Sequence, residues 1–354
     1  MFCKSWAVYS IISLLIVSSF FISCRDDNPV NPPNPVDYVV YFYDYQNDMC
    51  FALHTATLLI DSFALPVQPR GEITVSADGF KLYVPIIDNV SIIDLESKNV
   101  IEQIPHTMIR EISVSPDGNL LALLGEELYI LTTKNHTLLY SDSSGTPSDG
   151  IFSLDSKSFY CSFQYLAYRL SLDSGFTVVK KNLSSDSEQN IVWRITPSIM
   201  EKRWFVYLRY AEPYLYSFSV YDTLTDSIIF TDYLIPGEGN LAMTSDGKYV
   251  IYTNPGTGYS FEPEPPYEFK IFNTYTNEIE DVISTVLVFN KIDTVKFPVD
   301  EICITPDNKW LVGTSHDYNE IIIFNLKKRE IEKQLSLGWN RYFSRPTCQL
   351  QLKE

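Results

Sequence analysis

One short pattern recurs along this chain and constrains its fold more than any other feature. An apolar strand ends in Ser or Thr, a tight turn with Asp and Gly follows, and a second apolar strand begins. The instances are Glu72-Ile-Thr-Val-Ser-Ala-Asp-Gly79, Glu111-Ile-Ser-Val-Ser-Pro-Asp-Gly118, Gly150-Ile-Phe-Ser-Leu-Asp-Ser156, Trp193-Arg-Ile-Thr-Pro197 (without the turn Asp), Leu241-Ala-Met-Thr-Ser-Asp-Gly247 and Glu301-Ile-Cys-Ile-Thr-Pro-Asp-Asn308. Gly79, Gly118 and Gly247 stand where a hairpin needs positive φ, and Asn308 is the next best residue there. The hydroxyl before each turn falls at Ser76, Ser115, Ser153, Thr196, Thr244 and Thr305, where it can cap the turn amides. These residues read as structural punctuation, not as a catalytic set.

A second pair of strands follows each hairpin, as in Ser91-Ile-Ile-Asp-Leu leading to Val100-Ile-Glu-Gln-Ile104. The turn Asp residues fall at 78, 117, 155, 246 and 307. Four antiparallel strands in about 40 to 45 residues is the period of a β-propeller blade. At the N-terminus, Val39–Tyr43, Met49–Leu53 and Leu58–Ile60 read as three strands with no inner one before them, while residues 347–352 form a lone alternating strand. Pairing that strand with the first three closes the ring and removes an open sheet edge. The expected fold is all-β, a seven-bladed β-propeller closed by N- and C-terminal strands. The Ser-Pro-Asp-Gly hairpins resemble those of the YVTN or YncE-like propellers of the WD-repeat-like superfamily. The resemblance implies the fold and little about function, since this architecture hosts many unrelated activities.

The first residues read as an address. Lys4 precedes an apolar run from Trp6 to Ile22, which stops at Ser23-Cys24, the layout of a secretory signal. Phe21-Ile22-Ser23-Cys24 resembles a bacterial lipobox, with Phe where Leu is usual. The resemblance implies a lipidated Cys24 as the mature N-terminus. The competing reading is an uncleaved anchor, because the run is just long enough to span a bilayer. Arg25-Asp26-Asp27 follows, and then four prolines between Pro29 and Pro35 make a stiff, extended tether. The chain therefore divides into residues 1–23 as a signal peptide, 24–36 as a tether and 37–354 as the propeller. The expected place is the bacterial cell envelope, with the protein lipid-anchored to the outer membrane. The acidic residues after Cys24 also resemble an export signal of surface-displayed lipoproteins.

Charge narrows the partners. Lys and Arg total 27 against 44 Asp and Glu, a formal charge of −17, which becomes −18 once Lys4 leaves with the signal. Nucleic acid is excluded as a partner, because neutralising phosphates takes clustered Lys and Arg. The membrane is reached through the lipid and not through a basic face. Hydrophobic residues make up 45% and charged residues 20%, enough to bury a core and too apolar for disorder. The 24 Tyr and 21 Phe favour strands. Without Cys3 and Cys24, the cysteines are Cys50, Cys161, Cys303 and Cys348, far apart and inside strand-like segments. They read as buried thiols, although an exported compartment permits a bridge.

Two places could carry function. In propellers of this kind the connections from strand two to three, and from blade to blade, share one face. Residues 207–216, in the fourth complete repeat, hold Tyr210 and Tyr214 among further tyrosines. Residues 254–269, in the fifth, hold Tyr259, Phe261, Tyr267, Glu262 and Glu264 between prolines. The connection 281–299 is also long. Tyr-rich loops suit capture of a protein or glycan ligand, because Tyr adds contact area at low entropic cost; the alternative is packing of the loop on its own blade. The second place is the residue six before each turn Asp: Glu72, Glu111, Asp149, Asn240 and Glu301, with Val192 as the approximate fourth-repeat equivalent. Oxygens converging at the channel mouth could hold Ca²⁺, which takes six to eight hard ligands, and propeller lactonases resemble this arrangement. The bland reading is polar residues tolerated at a solvated strand end.

Other enzyme signals are thin. His54, His106, His136 and His316 show no metal-ligand spacing, and no nucleophile elbow, phosphate loop or His-Glu-x-x-His motif is present. The expectation is a lipid-anchored, non-catalytic binding propeller; its rival is a lactonase-type hydrolase with a divalent cation at the channel mouth.

Overall fold

The computed structural model describes residues 37–44, 47–163, 166–183, 191–199, 202–209, 216–234, 239–254, 268–284, 286–289, 293–296, 299, 301–315, 320–337 and 346–350. Residues 1–36, where a signal, Cys24 as its lipid site and a tether are expected, lie outside them. Residues 37–354 form one compact unit.

Antiparallel four-stranded sheets succeed one another along the chain. Blade 1 contains β1 (Tyr38–Asp44), β2 (Met49–His54) and β3 (Leu59–Ala64). Blade 2 is β4 (Thr74–Val75), β5 (Lys81–Pro85), β6 (Val90–Asp94) and β7 (Val100–Ile104); blade 3 is β8 (Glu111–Val114), β9 (Leu120–Leu124), β10 (Leu128–Thr132) and β11 (Leu138–Asp142). Blade 4 is β12 (Pro147–Phe152), β13 (Ser158–Phe163), β14 (Leu166–Ser171) and β15 (Thr177–Asn182). Blade 5 is β16 (Ile191–Pro197), β17 (Arg203–Arg209), β18 (Tyr216–Asp222) and β19 (Ser227–Leu234). Blade 6 is β20 (Leu241–Met243), β21 (Tyr249–Asn254), β22 (Glu268–Asn273) and β23 (Glu278–Ser284). A hairpin, β24 (Val286–Phe289) with β25 (Asp293–Lys296), then interrupts the series. Blade 7 is β26 (Glu301–Ile304), β27 (Trp310–Ser315), β28 (Glu320–Asn325) and β29 (Glu330–Ser336), and β30 (Thr347–Leu350) ends the chain's strands.

The ring closes as the terminal strands require. β30 pairs antiparallel with β1, from Tyr38 opposite Leu350 to Tyr41 opposite Thr347, and completes blade 1. The innermost strands meet in one cycle, β4 to β8, β12, β16, β20, β26, β30 and back to β4. This is a seven-bladed β-propeller, all-β among the described residues.

The recurring hairpin has one hydrogen-bond pattern. The Ser115 hydroxyl donates to Asp117 Oδ1 at 2.6 Å and accepts the Leu120 N–H at 2.9 Å, while Asp117 Oδ1 also accepts the Asn119 N–H at 3.1 Å. The same three bonds recur around Ser76, Ser153, Thr244 and Thr305. Gly118 takes φ 73°, and Asn308 takes 57° in the equivalent place. The left-handed conformation is therefore required at this point of the turn, which explains the Gly and Asn recurring there.

Burial follows the strand period. Side chains of β1 alternate: Val39, Tyr41 and Tyr43 pack towards blade 2, and Val40 and Phe42 towards blade 7. Each of the seven blade interfaces holds its own apolar cluster among the described residues. The interface of blades 5 and 6 is aromatic, with Phe218 stacked on Tyr252 at 4.1 Å between ring centres. Burying one such ring contributes roughly 1.5–3 kcal/mol, so this repeated layer holds the ring together.

Three sequence expectations change here. β3 begins at Leu59, because Leu58 takes φ 55° in the preceding turn. Tyr207 and Tyr216, assigned above to a loop, are strand residues in the interface of blades 5 and 6. Phe269 likewise belongs to β22 and packs edge-on to Phe324 at 4.8 Å.

Candidate functional site

The start of each innermost strand is set by its hairpin. Four residues before the turn hydroxyl stand Glu72, Glu111, Asp149, Asn240 and Glu301. In blade 5 the capping hydroxyl is Ser198, not Thr196. Ser198 Oγ accepts the Arg203 N–H at 3.1 Å, and its N–H donates to the Arg203 carbonyl at 2.8 Å, the pair of bonds Ser76 makes with Lys81. The equivalent ring position is therefore Arg194, and the alignment on Val192 is wrong by two residues. The turn Asp is replaced by Met200, and a β-bulge between Val192 and Arg194 shifts the strand, so neither anchor of the register is legible. The signal that finds Arg194 is Ser198 four residues later.

These side chains tie blades 3 to 7 together. A bulge between Ser148 and Ile151 takes Asp149 and Gly150 out of the β12–β13 ladder. Their N–H groups donate instead to Glu111 Oε2 and Oε1, at 2.8 and 2.9 Å. Gly150 is needed here, since a Cβ would lie 2.5 Å from Phe159 Cζ. Asp149 in turn accepts the Ile195 N–H at 2.8 Å and Arg194 Nη1 at 3.0 Å. Arg194 Nη2 donates to Glu301 Oε1 at 2.5 Å, and Asn240 Nδ2 donates to the other Glu301 oxygen. Asn240 Oδ1 accepts the Leu241 N–H at 2.6 Å.

The chain of bonds runs from blade 3 through 4 and 5 to 7, with blade 6 joined through Asn240. Asp149, Asn240 and Glu301 are 6%, 0% and 9% exposed, so these strand ends are not solvated. Burial works against the Arg194 charge, but Glu301, Asp149, Glu111 and Glu72 outweigh it and hold the guanidinium far above its ordinary pKa. A permanent cation of the protein's own stands among the carboxylates.

Glu72 and Glu111 also line a cavity of 170 Å³ with Thr74, Ser113, Gly150 and Thr347, on the side of the channel formed by blades 1 to 4. Its walls offer carboxylate and hydroxyl oxygens. Among the described residues no group of three or more His, Cys, Asp or Glu side chains could hold a metal ion. His106 packs on Tyr129 at 4.4 Å, and burial pushes its pKa down.

Around this mouth lie the strand ends that carry the long connections. The register from Glu111 to Leu124, Leu128 and Asp142 puts the start of strand one, the end of two, the start of three and the end of four at one end of a blade. The connections after β17, β21 and β23 therefore leave from this face. Tyr210, Tyr214, Tyr259, Phe261, Glu262, Glu264 and Tyr267 lie outside the described residues, as does His316. Two polar clusters near this face escaped the sequence reading. Asp232 Oδ2 accepts Tyr252 Oη at 2.7 Å and Lys270 Nζ at 2.8 Å, tying blade 5 to blade 6, and Asp142 accepts Tyr168 Oη at 2.9 Å, tying blade 3 to blade 4.

No family model matches this chain, and no curated protein matches it. Solved structures do. The chain is similar to Kuenenia stuttgartiensis hydrazine synthase at TM-score 0.57 and 17% identity, over 74% of this chain and 78% of that one. It is similar to the dihydro-heme d1 dehydrogenase NirN in complex with DHE at TM-score 0.54 and 13% identity, over 88% and 75%. The Myceliophteria thermophila Cps50 (Swd1) β-propeller domain matches at TM-score 0.57 and 10% identity, over 78% and 89%. At these identities the likeness is one of fold.

Proposed function

We propose that this protein is a lipid-anchored propeller of the bacterial cell envelope that binds a protein or glycan ligand on its channel-mouth face and catalyses no reaction. The observation that carries this reading is the bonding of the ring itself. Glu111, Asp149, Arg194, Asn240 and Glu301 bond one another and neighbouring backbone, which holds blades in place. What remains for recognition is the rim of that face, where the connection between blades 6 and 7 is enlarged by the β24–β25 hairpin. Cys24, acylated, fixes the chain to the outer membrane, and the prolines after it hold the body away from the bilayer. The YVTN-like character of the hairpins belongs to this same reading.

Deleting residues 256–266 tests it. The shortened chain keeps the melting midpoint of the full protein and loses retention of ligand from a glycan array and from envelope protein extracts. Equal retention by both chains overturns the binding face. Replacing Cys24 with Ala abolishes labelling by a palmitate analogue and moves the protein to the aqueous phase in detergent partition; unchanged partition overturns the anchor.

The second reading, a lactonase-type hydrolase with Ca²⁺ at the channel mouth, is favoured by the cavity between Glu72 and Glu111. Hydroxyls of Thr74, Ser113 and Thr347 add hard oxygens there. Arg194 already supplies a positive charge to the same ring, which supports the non-catalytic reading.

A further inference from the structure

Most of the interface between blades 5 and 6 is an aromatic layer, but its channel-mouth end is polar. Tyr252 and Asn254 of β21 stand two residues apart and so share a sheet face. Tyr252 stacks on Phe218 of blade 5, so that face looks towards blade 5. Directly opposite them on β22 are Lys270 and Glu268, and opposed residues of an antiparallel pair share a face. Asp232, from β19 of blade 5, reaches the same place. Asn254 and Glu268 are also the two strand ends between which the chain makes its enlarged connection, residues 255–267.

Asn254 is 2% exposed, and its Oδ1 accepts no hydrogen bond among the described residues. The donors beside it are spent elsewhere. Tyr252 Oη donates to Asp232 Oδ2 at 2.7 Å, and Lys270 Nζ donates to the same oxygen at 2.8 Å and lies 3.4 Å from Glu268. A buried acceptor without a donor is costly and uncommon. On a face built for recognition, such an acceptor is completed by a ligand that brings the donor.

The charges around it narrow that ligand. Asp232 and Glu268 repel an anion, and Lys270 repels a second ammonium, so the group that fits is a neutral donor. Adjacent hydroxyls of a saccharide answer the whole set, because each both donates and accepts. One donates to the Asn254 carboxamide, and its neighbour donates to Glu268 or accepts from Lys270. We propose that Asn254, Glu268 and Lys270 form the polar floor of a saccharide site, with Asn254 Oδ1 accepting a sugar hydroxyl. This rests on the binding face proposed above and names its ligand as a glycan.

Calorimetric titration of the full chain with glucose, galactose, mannose, N-acetylglucosamine and their disaccharides tests it. At least one of these sugars binds. Asn254→Leu weakens that binding roughly tenfold or more, while the melting midpoint without sugar holds or rises because the orphaned acceptor is gone. Glu268→Gln keeps the shape of the side chain and also weakens binding. If no sugar binds, while a protein ligand is retained by the full chain and lost on deleting residues 256–266, the saccharide site is overturned and the binding face stands. A sugar lost with Asn254→Leu but kept by that deletion supports the site and overturns the part given to the connection. If Asn254→Leu lowers the midpoint and leaves sugar affinity unchanged, Asn254 serves an ordered water alone and the site is overturned.

Discussion

The Arg194 guanidinium in blade 5 donates to the Glu301 carboxylate in blade 7 at 2.5 Å, reaching past the blade that separates them. Its other arm holds Asp149 of blade 4. One side chain thus joins three blades across the channel mouth. The carboxylates that a reader of the sequence would offer to a metal already face a cation in the fold.

Replacing Arg194 by Met keeps its apolar stem and removes the charge. Asp149 retains the Ile195 N–H and Glu301 retains Asn240, so neither carboxylate loses every donor. The expected loss is roughly 3 kcal/mol, the low end for breaking a buried ion pair. Arg194→Lys falls between, because one ammonium does not reproduce the two-armed fork. Adding Glu301→Gln to Arg194→Met recovers about 1 kcal/mol or more by removing one of the stranded charges. Urea unfolding of the four proteins checks the order.

The blades were legible in the sequence where the turn chemistry is strict. A position that must adopt positive φ admits few residues, so Gly79, Gly118, Gly247 and Asn308 mark their hairpins unaided. Blade 5 carries neither the Asp nor the Gly, and its bulge displaces the strand, which is why the sequence pattern points to Val192 and not to Arg194 as the ring member. The ring was legible as a set of positions but not as a bonding pattern. Whether Glu111 turns to a cation or to the Asp149 and Gly150 amides depends on a bulge in β12, and bulges leave no fixed mark in composition. Tyr207 shows the same limit from the other side. In a run that also holds Pro213 it looks like a loop residue, yet its ring fills an interface that only the neighbouring blade defines.

The hairpin carboxylates make stability depend on acid. Burial raises the pKa of Asp117 and of Asp155, but hydrogen bonds from the turn outweigh it and leave both below the usual 3.8. A group depressed in the folded state contributes stability that is complete above its unfolded pKa and is lost as pH falls through the folded value. Stability should therefore hold from neutral pH down to about 4 and drop below it. Replacing both residues with Asn costs roughly 1 kcal/mol at each turn at neutral pH. It also flattens the acid limb, which unfolding midpoints across an acid series reveal; an unchanged limb contradicts the assignment.

Removing residues 347–354 deletes β30 and leaves the inner edge of β1 without its ladder. The backbone groups of β1 that bonded β30 then face the channel without that ladder, beside the apolar interface of blades 7 and 1. An open edge of this kind recruits another chain. The truncated protein should melt earlier and self-associate with concentration, by light scattering, while the full chain stays at constant mass.

Calcium should leave this propeller unmoved. A ligand that binds only the folded state at 100 times its Kd adds about 2.7 kcal/mol, so a resident cation at the channel mouth would raise the melting midpoint and EDTA would reverse the gain. The geometry instead gives Glu301 to Arg194 and Asn240, and Glu111 to two backbone amides. Melting curves with calcium and with EDTA are expected to coincide. Glu111→Gln and Glu301→Gln should each lower stability by the same amount under both conditions, because what they remove is a contact between blades. A calcium-dependent midpoint that either substitution abolishes would show that the ring does hold a metal and would restore the hydrolase reading.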